Sequence, residues 1–209
     1  MADVRKRRKP TGKTGPLTAD SDGLHRRHFV EFPQAKSEIE LFIARLFCAG
    51  NAGMRPQITR YGPFSELALQ REDSVDLKVQ TRLGARWLEL TEFAPLDEFG
   101  GLHGNVPGRW SVERLTALVV GLIHKKAARH YGAGVILIIY KTQETLFVPP
   151  PILRAIRGML VDPPFESIYF LSPHDQESAS VWEIWPGDSS DDGPIVGSGF
   201  VHVGFGVLK

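Results

Sequence analysis

The chain has 209 residues, with 25 Lys and Arg against 24 Asp and Glu, and 42% of it is hydrophobic. That is enough apolar surface for one real core, so wholesale disorder is excluded. The single cysteine, Cys48, rules out an internal disulfide and any Cys-based zinc finger. No apolar run approaches the ~20 residues of a membrane helix, and the charged N-terminus has no apolar stretch behind it. A soluble protein of the reducing cytoplasm, without membrane contact or secretory leader, is the expectation.

The net charge of +1 hides a gradient. Residues 1–28 carry a net +5, residues 29–161 a net +3 and residues 162–209 a net −7. The basic block is Arg5, Lys6, Arg7, Arg8, Lys9 and Lys13. Such a block binds a polyanion such as nucleic acid, or is simply a solvated tail. These shifts predict a flexible basic arm (1–28), an α/β domain (29–186), and a Gly-rich acidic linker with an edge strand (187–209).

In chain order, Ile39, Phe42, Ile43 and Leu46 recur at helical spacing and predict a helix over 36–47. Residues 51–63 are broken by Gly and Pro and read as loop. Residues 74–80 alternate, Val75, Leu77 and Val79 against Asp76, Lys78 and Gln80, as a half-buried strand does. Residues 86–93 alternate again, and Thr81-Arg82-Leu83-Gly84 between them is a turn, so the pair is a hairpin. Residues 97–110 are a Gly-rich loop. Ser111 is an N-cap for a long helix to about Tyr131, with Leu115, Leu118, Val119 and Leu122 as its stripe and Gly132 and Gly134 as its stop. Val135–Tyr140 is a β-branched run, the mark of a strand buried on both faces. A short helix opening at the prolines 149–151, two short strands (168–171 and 181–185) and an edge strand within 197–208 complete the reading. A helix joining a hairpin to a buried strand is a crossover, so a mixed sheet in a three-layer α/β arrangement is predicted.

If the hairpin turns at Arg82-Leu83, Asp76 faces Glu89 across it, both pointing away from the Leu77 and Leu88 side. Directly opposed Cβ atoms lie ~5 Å apart, and two like charges there need a reason. A divalent cation is one, since Mg2+ takes one or two carboxylates with phosphate and water. Solvent-facing acids balanced by Lys78 and Arg86 are the plainer alternative.

Together these elements resemble the restriction-endonuclease-like PD-(D/E)xK nucleases. The stretch SVDLKV, then WLELTEF, resembles their Asp…(D/E)xK hairpin, and IHKKAARHYG before VILIIY resembles their following helix and strand. The resemblance spans roughly residues 36–171. It implies a restriction-endonuclease-like core with a central mixed sheet flanked by helices, acting as a Mg2+- or Mn2+-dependent hydrolase of DNA. Asp76 and Glu89 then hold the metal, completed by Glu38 of the first helix, with Glu40 as its alternative. The sequence departs at the motif lysine, which is Thr91 (Glu89-Leu90-Thr91). Lys125 or Lys126 on the following helix, or Lys78 on the hairpin, would have to supply that charge, as some members of the superfamily arrange it.

The basic residues Arg5–Lys9 would add phosphate contacts. The competing function is a catalytically inactive member of the fold, binding nucleic acid or protein. A homodimer or a protein partner would use the acidic C-terminal region. Trp87, on the Glu89 face, is a candidate base-stacking residue. Gly100, Gly101 and Gly104 lack a phosphate-loop context, His124 and His130 do not share a helix face, and Cys48 lies on an apolar helix end.

Overall fold

The computed structural model describes residue 14 and residues 17–20, 23–26, 29–50, 55–70, 75–102, 105–187 and 200–202. Its centre is a six-stranded mixed sheet, and helices cover both faces. The predicted arm residues Arg5, Lys6, Arg7, Arg8 and Lys9, and nearly all of the predicted C-terminal linker, lie outside the described residues.

Strands β1 (Leu17–Asp20) and β2 (Gly23–Arg26) form a separate antiparallel ribbon. Helix α1 (Lys36–Ala49) follows. The Glu38 carboxylate accepts from the Ala35 N–H at 3.3 Å at its start. At its end, Gly50 turns with φ +59° and donates to the Leu46 carbonyl. Only a residue without a Cβ fits there: a built Cβ would lie 2.4 Å from Ile58 Cγ1. Ile39, Ile43 and Phe47 are buried as the periodicity predicts.

The predicted loop 51–63 contains a short helix instead, α2 (Pro56–Tyr61). Pro56 sits in its first turn, where the missing N–H costs nothing. Gln57 Nε2 donates to the Phe47 carbonyl at 2.9 Å, and the buried Tyr61 hydroxyl meets Ser167 Oγ at 2.8 Å. Six residues are too few to show a period, so tertiary anchoring makes this helix.

Strand β3 (Ser65–Leu69) is an unforeseen edge strand. It is mostly exposed, and its pairing shifts between Ser65 and Ala68 where Glu66 takes φ +51°. A cleft of about 480 Å³ lies between it and α1, lined by Leu41, Arg45, Cys48, Phe64 and Leu69 among others.

The hairpin is β4 (Leu77–Thr81) and β5 (Gly84–Glu92), turning at Arg82-Leu83 as predicted. Leu77 pairs with Leu88 and Thr81 with Gly84, the register read from the sequence. Strand β6 (Arg109–Ser111) pairs antiparallel with β10 (Phe200–His202). Ser111 caps helix α3 (Val112–Ala127), its side chain accepting from Arg114 N–H at 3.1 Å. The helix stops at Ala127, short of the predicted glycines: Ala128 N–H still donates to the His124 carbonyl, and Arg129 N–H closes the end with a tighter bond to the Lys126 carbonyl.

Strand β7 (Val135–Tyr140) then runs parallel to β5, and all six of its residues are buried. Helix α4 (Pro150–Arg157) leads to β8 (Ser167–Pro173), parallel to β7. Antiparallel β9 (Ala179–Trp185) closes the sheet, in the order β3-β4-β5-β7-β8-β9. One face of the sheet packs Leu77, Leu88, Leu90 and Ile138 with Ile43 and Phe47 of α1. The other packs Leu137, Ile139 and Phe170 with Leu115, Val119 and Ile123 of α3 and Ile152 and Ile156 of α4. The predicted three-layer α/β architecture with a mixed sheet is therefore present.

Gly50→Ala combines a strained left-handed backbone with a clash against Ile58. It should cost about 2 kcal/mol, read as a lowered urea midpoint at unchanged slope.

Candidate functional site

Strand β5 lies within the sheet and carries Glu89 only 2% exposed. A carboxylate buried to that degree requires a cation. Helix α3 supplies it: Lys126 Nζ donates to Glu89 Oε1 in a short contact, and also to the Leu90 carbonyl at 3.3 Å. Arg129 Nη1 stands 3.6 Å from the same Glu89 oxygen. Lys126 reaches the sheet because it is half-buried on the last turn of α3, three residues after the fully buried Ile123. Lys125, its neighbour, is exposed. Of the two lysines predicted to approach the hairpin, the structure brings Lys126.

Asp76 differs from the sequence reading. It is a bend residue just outside β4, which begins at Leu77 and not at 74. Its N–H donates to the Leu88 carbonyl at 3.1 Å, although Leu88 is already the partner of Leu77. Two residues of one strand thus address one of the other, as at a β-bulge. The alternation flips there: Leu77 joins the core under α1, whereas Val75 packs with the core under α3. Asp76 therefore does not pair with Glu89 on a common face. Its Oδ2 accepts the Leu90 N–H at 2.7 Å, capping the edge of β5 where β4 has ended. Its Oδ1 lies 3.8 Å from Lys36 Nζ of α1.

The first-helix acids are also placed differently. Glu38, the preferred candidate, is taken up by the start of α1. Glu40, the alternative, is 7% exposed and pairs with Lys36 at 2.9 Å. Lys36 thereby joins Glu40 to Asp76, a connection the sequence did not reveal. Among the described residues no three His, Cys, Asp or Glu side chains gather as a ready metal site.

Thr91, at the motif lysine position, is buried beside Ile139 of β7. Lys78 lies 5.5 Å over the Trp87 ring, so the proposed base-stacking face already carries a cation. Arg86 is held by Glu166 at 2.8 Å, away from its predicted role beside the acids. His124 and His130 are exposed. Burial pushes the Cys48 thiol up to about 12, so it is not a thiolate at neutral pH.

Tyr131 is a residue sequence reasoning missed. Its hydroxyl is buried with no hydrogen-bond partner among the described residues. Burial, and next the Glu89 charge, push it up to about 12. It follows the helix end by four residues, and the early stop of α3 is what turns it toward Glu89. No pattern in the sequence signals this.

A second buried charge lies elsewhere. Lys141, just past β7, is 5% exposed, and burial brings its amine down to about 8 against the opposing pull of Glu144.

No protein-family model, curated protein or solved structure matches the chain. The reading of this site therefore rests on its own geometry.

Two outcomes test that geometry. Lys126→Met leaves a buried carboxylate short of its cation and should cost about 3 kcal/mol; Lys126→Met with Glu89→Leu should recover most of it in a double-mutant cycle. For Lys141, the folded pKa is below the unfolded one, so the protonation penalty is complete below about pH 8 and vanishes above about pH 10.5. Lys141→Met should therefore raise stability by roughly 2–3 kcal/mol at pH 7 and by nothing at pH 10.5, measured by urea unfolding.

Proposed function

We propose that the chain is a metal-dependent phosphodiesterase acting on DNA, with a restriction-endonuclease-like core in which Lys126 replaces the lysine absent at Thr91. One observation carries this reading: the candidate residues converge on Leu90. Its N–H holds Asp76, its carbonyl holds Lys126, and Lys126 also holds Glu89. An acid, an acid and a lysine are thus fixed by one backbone segment, although they come from a bend, a strand and a helix.

The donor chemistry fits Mg2+ or Mn2+. Asp76 offers a hard carboxylate oxygen, and Mg2+ needs only one or two of these because water and substrate phosphate complete its shell; Glu89, which does not share its face, stands across Leu90 with Lys126. Bound there, the ion would polarise the phosphate and lower the pKa of the attacking water.

The chain's own groups do the rest. The Leu90 N–H fixes the Asp76 carboxylate and keeps one oxygen directed away from β5. Lys126 brings a positive charge that can move from Glu89 to a developing phosphate charge. Arg129 at 3.6 Å from Glu89 compensates the carboxylate when Lys126 moves. The Tyr131 hydroxyl, buried with no hydrogen-bond partner among the described residues, feels the charge of the same carboxylate. The basic residues Arg5–Lys9 contribute phosphate contacts along the strand.

A second reading, a non-cleaving nucleic-acid or protein binder, is favoured by one observation. Each acid already has a cation against it: Lys126 on Glu89, and Lys36 on Glu40 and Asp76. Such a site is charge-balanced without metal.

The test is Mn2+ binding by calorimetry alongside plasmid nicking. Wild type should bind and nick; Asp76→Ala should lose metal binding, and Lys126→Met should bind metal but nick about a hundredfold or more slowly. Metal binding without nicking in wild type would select the second reading, and absence of both would refute the metal site.

A further inference from the structure

The carboxyl ends of the parallel strands β5, β7 and β8 carry a cluster that the Asp76–Glu89 site does not use. Glu92 ends β5, Lys141 and Thr142 follow β7, and His174 follows β8. Crevices outside such strand ends are where ligands bind in open α/β sheets, because side chains of successive loops converge there.

Lys141 is the unusual member. It is 5% exposed, yet its ammonium lies over the Phe147 ring, 5.5 Å from its centroid, and no carboxylate oxygen stands within 4 Å among the described residues. Glu92 is not its partner, since Glu92 Oε1 accepts instead from Thr142 Oγ1 at 2.5 Å. Asp175 is not either: its oxygens accept from Glu177 N–H, Ser178 N–H and Ser178 Oγ in its own turn. Among the described residues Glu144 is the acid whose charge acts on Lys141.

The neighbours are polar too. His174 Nε2 meets Ser180 Oγ at 2.6 Å. Burial, and next the Lys141 charge, hold His174 below its ordinary value. The Thr145 hydroxyl is buried with no partner among the described residues. Phe147 and Trp182, half-buried with ring centroids 6.3 Å apart, stand beside them. Lys141 carries a positive charge with no carboxylate oxygen within 4 Å among the described residues, and His174 and Ser180 can each turn a donor toward a ligand. A buried lysine so arranged costs stability, which is the pattern of a group retained for a ligand.

We propose that Lys141 and the His174–Ser180 pair form a binding site for a phosphate-type oxyanion at the carboxyl edge of the sheet. The oxyanion supplies the counter-charge that Lys141 lacks within 4 Å among the described residues: Lys141 donates a charge-assisted bond, and the imidazole and the Ser180 hydroxyl complete its coordination. Phe147 and Trp182 wall the site against water. Glu144 restricts it by repelling anions of higher charge. The site does not depend on the nuclease reading. If that reading holds, Glu89 lies on β5 three residues before Glu92, roughly 10 Å back along the strand, and the oxyanion is then either a phosphodiester of a bound strand or free phosphate.

The test titrates the full chain with inorganic phosphate in a chloride buffer, followed by calorimetry. Wild type should bind one phosphate saturably, and Lys141→Met should bind at least tenfold more weakly while melting no lower than wild type. His174→Gln, a second variant at the other strand end, should also weaken binding. No saturable phosphate binding by wild type, or equal binding by wild type and Lys141→Met, would overturn the proposal. A short oligonucleotide then separates the sources. Competition with phosphate that is lost in Lys141→Met assigns the site to phosphodiesters; oligonucleotide binding indifferent to both assigns it to free phosphate. Loss of metal binding in Asp76→Ala with phosphate binding retained would keep the two sites distinct.

Discussion

A carboxylate inside a β-sheet has few ways to exist, and the arrangement around Glu89 follows from that constraint. At 2% exposure it cannot rely on water. Its cation must come from the layer above, which makes the position of α3 a matter of charge as well as of packing. The stripe of Leu115, Val119 and Ile123 sets the helix on the sheet, and that placement delivers Lys126 to Glu89 and to the Leu90 carbonyl. Apolar burial provides the stability; the ion pair fixes which turn of the helix meets which residue of the strand. Replacing Thr91 by a lysine would put a second ammonium into a space that Lys126 already serves.

Much of this was legible before the structure. The alternation of residues 86–93 and the turn at Arg82-Leu83 were enough to fix the hairpin register, because a one-residue slip would carry Leu88 and Leu90 to the other face and bring Glu89 into the core under α1. The β-branched run 135–140 announced a strand buried on both sides. What failed was local. Asp76 looked like one more alternating residue, but the bulge at Leu88 removes it from the strand and sends it to the Leu90 N–H. A bulge leaves no trace in hydrophobic period. Helix α2 and strand β3 were missed for a related reason: the first is held by Gln57 and Tyr61 reaching distant partners, and the second is an exposed edge.

On the proposed reading, the site separates a functional charge from its sequence motif. A lysine two residues after an acid on a strand points to the acid's own face. A lysine delivered from a helix reaches the same carboxylate from above, and the strand position is then free for a residue such as Thr91 that packs against Ile139. The cost is that the motif no longer reads along the chain. First-helix acids behave in the same way: Glu38 and Glu40 are two residues apart, yet one holds the helix start and the other meets Lys36 and through it Asp76. Only the orientation of α1 on the sheet distinguishes them.

The bulged edge strand has its own bearing on how this molecule behaves in company. An open sheet ends in unpaired ladder groups, and a flat edge invites another chain to continue it. Strand β3 withholds that invitation: Glu66 takes a left-handed backbone, the pairing shifts between Ser65 and Ala68, and an acid stands outward at the break. A newcomer would find no continuous row of donors and acceptors and would have to settle a charge beside it. The irregularity that hid β3 from pattern reading is thus a guard against runaway sheet extension, which lets the chain keep an open sheet without becoming a template for its own aggregation.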